Sequence, residues 1–412
     1  MSTTEPTANS PLPVSVDDVL EARKLLEGVV RHTPLESSRP LSEKIGGPAY
    51  LKCENLQRAG SFKIRGAYTR MSRLSPEQKA GGVVAASAGN HAQGVALAAQ
   101  MLGIRTKVYM PMGAPIPKVM ATRGYGAEVE LLGQTIEDCL SAAKRYAAEQ
   151  GAVLIHPFDH VDIVAGQGTV GLEILEQCPD VKTVVVGTGG GGLLSGIATV
   201  MRAKRPDVRI IGVQAEKAAA YPPSLAAGRP VALERMSTMA DGIAVGCPGE
   251  VTFEIVSALV HEFVTVSEET LSRAMLLLLE RAKLVVEPAG AASVAAIMDN
   301  PTLVEPPAVA VLSGGNIDPL LMLRVLRHGM AAAGRYLQFW VRVPDRPGSL
   351  SALLAMLAEA DANVLEVEHV RTNATLGLDE VEIAVQVETK GHEHCDQVIA
   401  ALRERGYPLQ VG

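Results

Sequence analysis

The chain is predicted to be an α/β protein with a mostly parallel open sheet, followed by a smaller ferredoxin-like module. From about residue 14 to 328, short β-branched runs alternate with Ala-rich helical runs, as expected where helices cover both faces of a parallel sheet. Three times in that stretch a strand runs into a turn of small residues. Past Arg335 the order becomes βαββαβ over about 75 residues, a second architecture.

The elements follow in order. Met1 to Pro13 is polar and Pro-rich and reads as a disordered tail, without the basic and apolar regions of a signal peptide. Ser61 is a good N-cap for a helix whose apolar stripe is Ala67, Met71 and Leu74. Val83-Val84, Lys107 to Met110, Val184 to Val186, Arg209 to Gln214 and Val309 to Leu312 read as strands. Glu137 to Gln150, Gly192 to Ala203 and Glu269 to Leu284 read as helices. Thr183 to Met201 is uncharged and long enough to span a bilayer, but its many glycines fit a buried strand, a loop and a buried helix better. A boundary is expected around Gly329 to Gly334. Beyond it come strand Tyr336 to Val343, helix Leu350 to Ala360, strands Leu365 to Arg371 and Val381 to Val387, helix Glu393 to Arg405 and strand Tyr407 to Val411.

Composition narrows the function. At 412 residues, two domains are expected, and 47% hydrophobic with 20% charged residues fits a soluble protein with a large core. A net charge of −7 and 3% aromatic residues argue against nucleic acid and anionic membranes as partners. The five cysteines, Cys53, Cys139, Cys178, Cys247 and Cys395, have no metal-ligand spacing and fit reduced thiols in the cytoplasm. No metal site is expected: Glu216 resembles a cation-site glutamate of some enzymes, but the next residues, Lys217 to Pro222, offer no second carboxylate. His392 and His394, at a helix start, read as solvated.

The chemistry starts at Lys63. An amine partly buried near the positive end of a helix is disfavoured as a cation, so its pKa falls and it becomes a candidate nucleophile for a carbonyl. The three strand-to-helix turns are Ser87-Ala88-Gly89-Asn90-His91, Gly189-Gly190-Gly191-Gly192 and Ser313-Gly314-Gly315-Asn316. Ligands of open α/β sheets sit at the carboxyl ends of strands, and helix N-termini bind anions. The run also satisfies the G-x-G-x-x-G spacing through Gly187, Gly189 and Gly192, with Glu216 where a ribose-binding acid would stand. Taken alone, it fits a dinucleotide or a single phosphate equally. A dinucleotide leaves Lys63 and Ser313 without a role.

Together, Ser61-Phe62-Lys63-Ile64-Arg65-Gly66-Ala67, Ser87 to Gly94, Gly189 to Leu193 and Ser313 to Asn316 resemble the four signatures of the threonine dehydratases. These are pyridoxal-phosphate enzymes of the tryptophan-synthase-β-like fold, with two lobes. The resemblance implies a catalytic domain over residues 14–330, its smaller lobe at roughly 53–158. Asp345-Arg346-Pro347-Gly348-Ser349-Leu350 resembles the ligand loop of ACT domains, which implies an amino-acid-sensing module over residues 335–412.

The resemblance also implies roles. Lys63 holds pyridoxal 5'-phosphate as a Schiff base and later takes the substrate α-proton. Phe62 flanks the ring, Asn90 bonds its phenolic oxygen, and Ser313 faces its nitrogen. Gly189, Gly190, Gly191, Gly192 and Leu193 cradle the phosphate. Ser87, Ala88, Gly89, Asn90 and His91 receive the substrate carboxylate, and Asp345, Arg346, Pro347, Gly348 and Ser349 receive the effector. Glu287 is read either as a residue near the ring or as a helix cap, and His91 as a loop-ordering residue. The expected reaction is deamination of threonine to 2-oxobutanoate and ammonia, and of serine, under isoleucine or valine control in a dimer or tetramer. A serine racemase or serine dehydratase, and a catabolic threonine dehydratase, are the alternatives. Ala88 stands where the racemase carries a serine, and Ile64 where cysteine-synthase-like enzymes carry an acid. A catalytically dead amino-acid sensor is a rival from another class, disfavoured by the intact lysine, asparagine, glycines and serine.

Overall fold

The structure is a computed structural model that describes residues 12–371, 376–377 and 379–411. The tail expected over residues 1–13 lies outside the described residues except for its last two. The chain forms two compact units that divide between Pro319 and Leu320. The helix Pro319–Ala332, which the sequence leaves with the first part, therefore groups with the second unit.

The first unit holds two sheets, one for each lobe. The six-stranded sheet runs from edge to edge as Leu35–Ser37, Ala49–Lys52, Ala308–Val311, Thr183–Gly187, Arg209–Ala215 and Glu262–Val266. All its pairs are parallel except the first. The four-stranded sheet is parallel throughout, in the order Glu128–Leu131, Thr106–Met110, Val83–Ala86 and Val153–Leu154. The central strands are buried end to end, so Val184, Val185 and Val186 present side chains to a core on both faces. Thr183 to Met201 is divided between strand Thr183–Gly187 and helix Gly192–Lys204, and no helix among the described residues is long and apolar enough to cross a membrane.

Helix Val161–Gln177 is the axle of this unit. It is buried along most of its length and packs against helices Lys63–Ser72 and Gly192–Lys204. The second crossing is backbone on backbone: a Cβ on Gly196 would stand 2.4 Å from the Gly168 nitrogen. Four charged side chains lie between these elements. Arg65 donates to Glu54 (2.8 Å) and to Glu173 (2.7 Å), and Lys52 donates to Glu173 (2.5 Å). Two cations thus face two carboxylates, and Lys52, Glu54 and Arg65 have no exposed surface. Burial alone would push the Arg65 pKa down, but the two carboxylates raise it overall.

The second unit is a ferredoxin-like βαββαβ module. Its antiparallel sheet runs Asn363–Val370, Glu380–Glu388, Tyr336–Pro344 and Leu409–Val411, with helices Ser349–Glu359 and His392–Glu404. Strict alternation puts Leu337, Phe339, Val341 and Val343 into its core against Leu353, Leu357, Val398 and Leu402. This is the architecture of an ACT-like domain.

Arg65→Met would leave the Glu54 and Glu173 carboxylates without their shared partner. The expected loss is about 3–5 kcal/mol of stability in the first unit, read as a lower denaturant midpoint. An unchanged midpoint would show that the four-charge cluster is not what ties these elements together.

Candidate active site

Three strand ends and one helix start meet around a cavity of about 960 Å³ between the two lobes. Strand Val83–Ala86 delivers Ser87 to His91, strand Thr183–Gly187 delivers the glycine run, and strand Ala308–Val311 delivers Ser313. Lys63 opens helix Lys63–Ser72 on the same wall. The structure therefore brings together Phe62, Lys63, Ser87 to His91, Gly189 to Leu193 and Ser313, although they are scattered over some 250 residues of sequence. Glu287 joins them through Asn90. Asp345 to Ser349 lies in the second unit, where Asp345 accepts from Arg371 (3.1 Å) and Gly348, at φ +93°, precedes helix Ser349–Glu359.

The Lys63 segment is sewn to the Ser313 segment. Phe62 N donates to Ser313 O (3.2 Å), Gly315 N to Gly60 O (2.9 Å) and the Asn316 side chain to Ala59 O (2.6 Å), with a bridge between Ser61 and Gly314. This corrects the reading of Ser61. Its backbone is held extended in that bridge, the helix starts later, and its buried hydroxyl caps nothing.

Lys63 itself is half-buried, and Nζ donates to Pro157 O at 3.0 Å. Burial pushes its pKa down to about 8, against a pull upward from Glu287. The amine therefore loses its proton far more readily than an ordinary lysine, which is what a nucleophilic or basic amine requires. Burial and the Lys63 charge push the His91 pKa down to about 3. Neutral His91 then donates from Nε2 to Ile155 O (2.8 Å), which ties it to the loop. His156 lines the same cavity, and its Nδ1 accepts from Asp159 N at 2.8 Å.

The glycine run has no room for side chains. A Cβ on Gly190 would stand 2.4 Å from the Phe158 ring, and one on Gly191 would stand 2.0 Å from the Tyr221 hydroxyl. Gly191 also has φ +98°, a conformation that glycine adopts without strain. Tyr221 (3.2 Å) and Thr252 (2.6 Å) donate to Gly190 O and anchor the loop. The first N–H groups of helix Gly192–Lys204 have no partner within the helix, so loop and helix form an anion cradle. Helix Asn90–Leu102 offers a second such N-terminus at the Ser87 to His91 loop.

Asn90 donates to Glu287 Oε1 (2.5 Å) and accepts from Asn316 (2.9 Å). Glu287 sits at the N-cap position of helix Pro288–Asp299 but makes no capping bond, and its Oε2 is buried without a partner. Burial, helped by Asp241, pushes its pKa up to about 7. Sequence reasoning missed Tyr221, Thr252, Phe158, His156, Lys118 and Asp241. Only Asn316 carried a visible signal, as the end of the Ser313 to Asn316 motif.

An acid whose pKa rises on folding binds its proton more tightly in the folded chain. Stability therefore falls as pH rises from the ordinary value of 4.5 to about 7. Glu287→Gln cannot ionise, so it should gain stability over the parent across that window and keep the gain above it. Denaturation midpoints of cofactor-free protein against pH will read this. A difference that does not vary with pH would refute it.

The cavity walls suit a phosphorylated ring attached to an amine. A cradle closed to Cβ atoms, a half-buried lysine of lowered pKa and an unpartnered buried carboxyl oxygen all face one chamber or adjoin it. The profile of the family described as "Pyridoxal-phosphate dependent enzyme" matches residues 26–314. The L-threonine ammonia-lyase of Thermotoga maritima is 45% identical over 398 residues, covering 97% of this chain and 99% of the relative. The catabolic L-threonine dehydratase of Escherichia coli is 44% identical over 310 residues, covering 74% of this chain and 94% of that protein. Among solved structures, maize serine racemase superposes with a TM-score of 0.72 at 36% identity, covering 76% of this chain and 96% of that one. Profile and relatives agree over the stretch that builds the cavity, and the chain belongs to the pyridoxal-phosphate dependent enzymes.

Proposed function

We propose that this enzyme deaminates L-threonine to 2-oxobutanoate and ammonia, and L-serine to pyruvate, by β-elimination. The observation that carries the reading is the placement of the Lys63 amine, half-buried and of lowered pKa, in one cavity with two anion-binding helix starts. One cradle suits a phosphate and the other a carboxylate, as an amino-acid substrate beside a phosphorylated cofactor requires. The near full-length similarity to an L-threonine ammonia-lyase supports the choice of substrate.

In this proposal Gly189 to Leu193 hold the phosphate of pyridoxal 5'-phosphate, Phe62, Asn90 and Ser313 surround its ring, and Lys63 is the point of attachment. When bound, the cofactor withdraws electrons from the substrate α-carbon. Lys63 Nζ, released on substrate binding, accepts the α-proton. Ser87 to His91 seat the carboxylate and fix the α-carbon in front of that amine. Glu287, whose pKa burial raises, steadies the Asn90 amide through their hydrogen bond. Ser313 is a neutral neighbour for a ring nitrogen, which favours elimination over reactions that need a long-lived carbanion. Ala88 has no proton to offer from the opposite face, which separates this site from a racemase.

The second unit is proposed to sense an amino acid. Its Asp345 to Ser349 turn ends at a helix N-terminus, where free N–H groups suit a carboxylate. Isoleucine is the first candidate effector and valine the second, seated between paired modules of two subunits in a dimer or tetramer.

Lys63→Ala should reduce 2-oxobutanoate formation from threonine by more than about a thousandfold while the fold survives, since attachment and proton transfer are lost together. Substantial turnover in that variant would refute the mechanism. Removal of residues 335–412 should leave turnover but abolish any response to isoleucine or valine, a response expected at about 5–150-fold in the full chain. Failure of the full-length enzyme to bind any amino acid outside its active site would remove the regulatory half.

A further inference from the structure

Lys118 is a buried cation in the cavity wall that the proposed mechanism does not use. It stands on helix Ile116–Gly124 of the smaller lobe, with its side chain 7% exposed. Its Nζ donates at 2.5 Å to Asp241, which comes from the larger lobe and is half exposed at 49%. An ammonium has three donors. The other two have no acceptor among the described residues.

The position of this amine is specific. A Cβ built on Gly89 would meet a single outside atom within 4 Å, Lys118 Nζ at 3.6 Å. The space over the Ser87 to His91 loop is thus bordered by a full positive charge. The Asp241 segment belongs to the same chamber, since a Cβ on Gly242 would stand 3.6 Å from Glu287 Oε1. Two of its donors are therefore free to turn toward the cavity that Lys118 lines. A carboxylate seated on the N–H groups of the loop would lie within reach of those donors.

We propose that Lys118 is a substrate-binding residue, donating to the α-carboxylate of the substrate on the Ser87 to His91 loop, with Asp241 holding it in place from the opposite lobe. The assignment rests on reading that loop as the carboxylate seat. It makes recognition of the carboxylate a task shared by both lobes: one supplies the N–H groups and the cation, the other orients the cation.

The test uses the holoenzyme, threonine as substrate and threoninol, which lacks the carboxylate, as a competing ligand. Lys118→Met should raise the KM for threonine about 10–100-fold, the scale of a charge-assisted hydrogen bond, with kcat little changed. Threoninol inhibition should be unchanged, and Lys118→Arg should recover much of the loss. Asp241→Asn keeps the ammonium, so it should raise KM less than Lys118→Met does. An unchanged KM overturns the proposal. Equal weakening of threonine and threoninol also overturns it, because the pair then only ties the lobes together. If Lys118→Met does not fold, Lys118→Gln decides in its place: an unchanged ratio of threonine to threoninol affinity in that enzyme refutes the proposal. A parent enzyme that makes no 2-oxobutanoate refutes the dehydration reading instead. Binding of threonine against threoninol, followed by cofactor absorbance, would still test Lys118.

Discussion

Arg65 is the residue on which the placement of the site depends. It follows Lys63 by two positions and points the other way, into the interior, where Glu54 and Glu173 grip its guanidinium. Lys52 closes the cluster from a strand of the large sheet. Such a cluster adds little net stability compared with a hydrophobic core of equal volume. What it adds is direction: charges with no exposed surface tolerate few alternative partners. The helix that begins with Lys63 is thereby fixed in rotation and height, and the lysine enters the cavity from one defined point.

The second fixture is the seam between residues 59–62 and 313–316. Lys63 and Ser313, which border the cavity from distant parts of the sequence, are held by backbone bonds and one asparagine side chain. Asn316 also bonds Asn90, and Asn90 bonds Glu287. A line of amides and one buried acid of raised pKa therefore runs along the cavity. Lys63 is left beside it as an amine that can exist without its proton.

Much of this was legible in the sequence where the physics is local. The strand at Val184 to Val186 shows because a parallel strand buried on both faces reads as unbroken valine. The module past Arg335 shows because each of its strands hides one face, which forces alternation. Helix Val161–Gln177 left no such mark. Buried nearly all round, it has no polar face, and the glycines that let its neighbours approach look like loop residues. Ala49–Lys52 was hidden by its lysine, whose charge makes sense once Glu173 is placed beside it. Ser61 misled for a related reason: capping preference is a local rule, and a bridge to Gly314, more than 250 residues away, overrode it. Tyr221, Lys118 and Asp241 act through contacts that no local window contains.

The strand order carries a consequence for how the protein is made. Strand Ala308–Val311 is among the last pieces of the first unit to leave the ribosome, yet it lies inside the large sheet, between Ala49–Lys52 and Thr183–Gly187. Until it arrives, the N-terminal hairpin has no neighbour to join and the Lys63 segment has nothing to be sewn to. The nascent chain must therefore keep open sheet edges for most of its synthesis, the condition under which growing chains depend on chaperones. A chain that ends before residue 316 lacks part of the seam that holds the Lys63 segment in place.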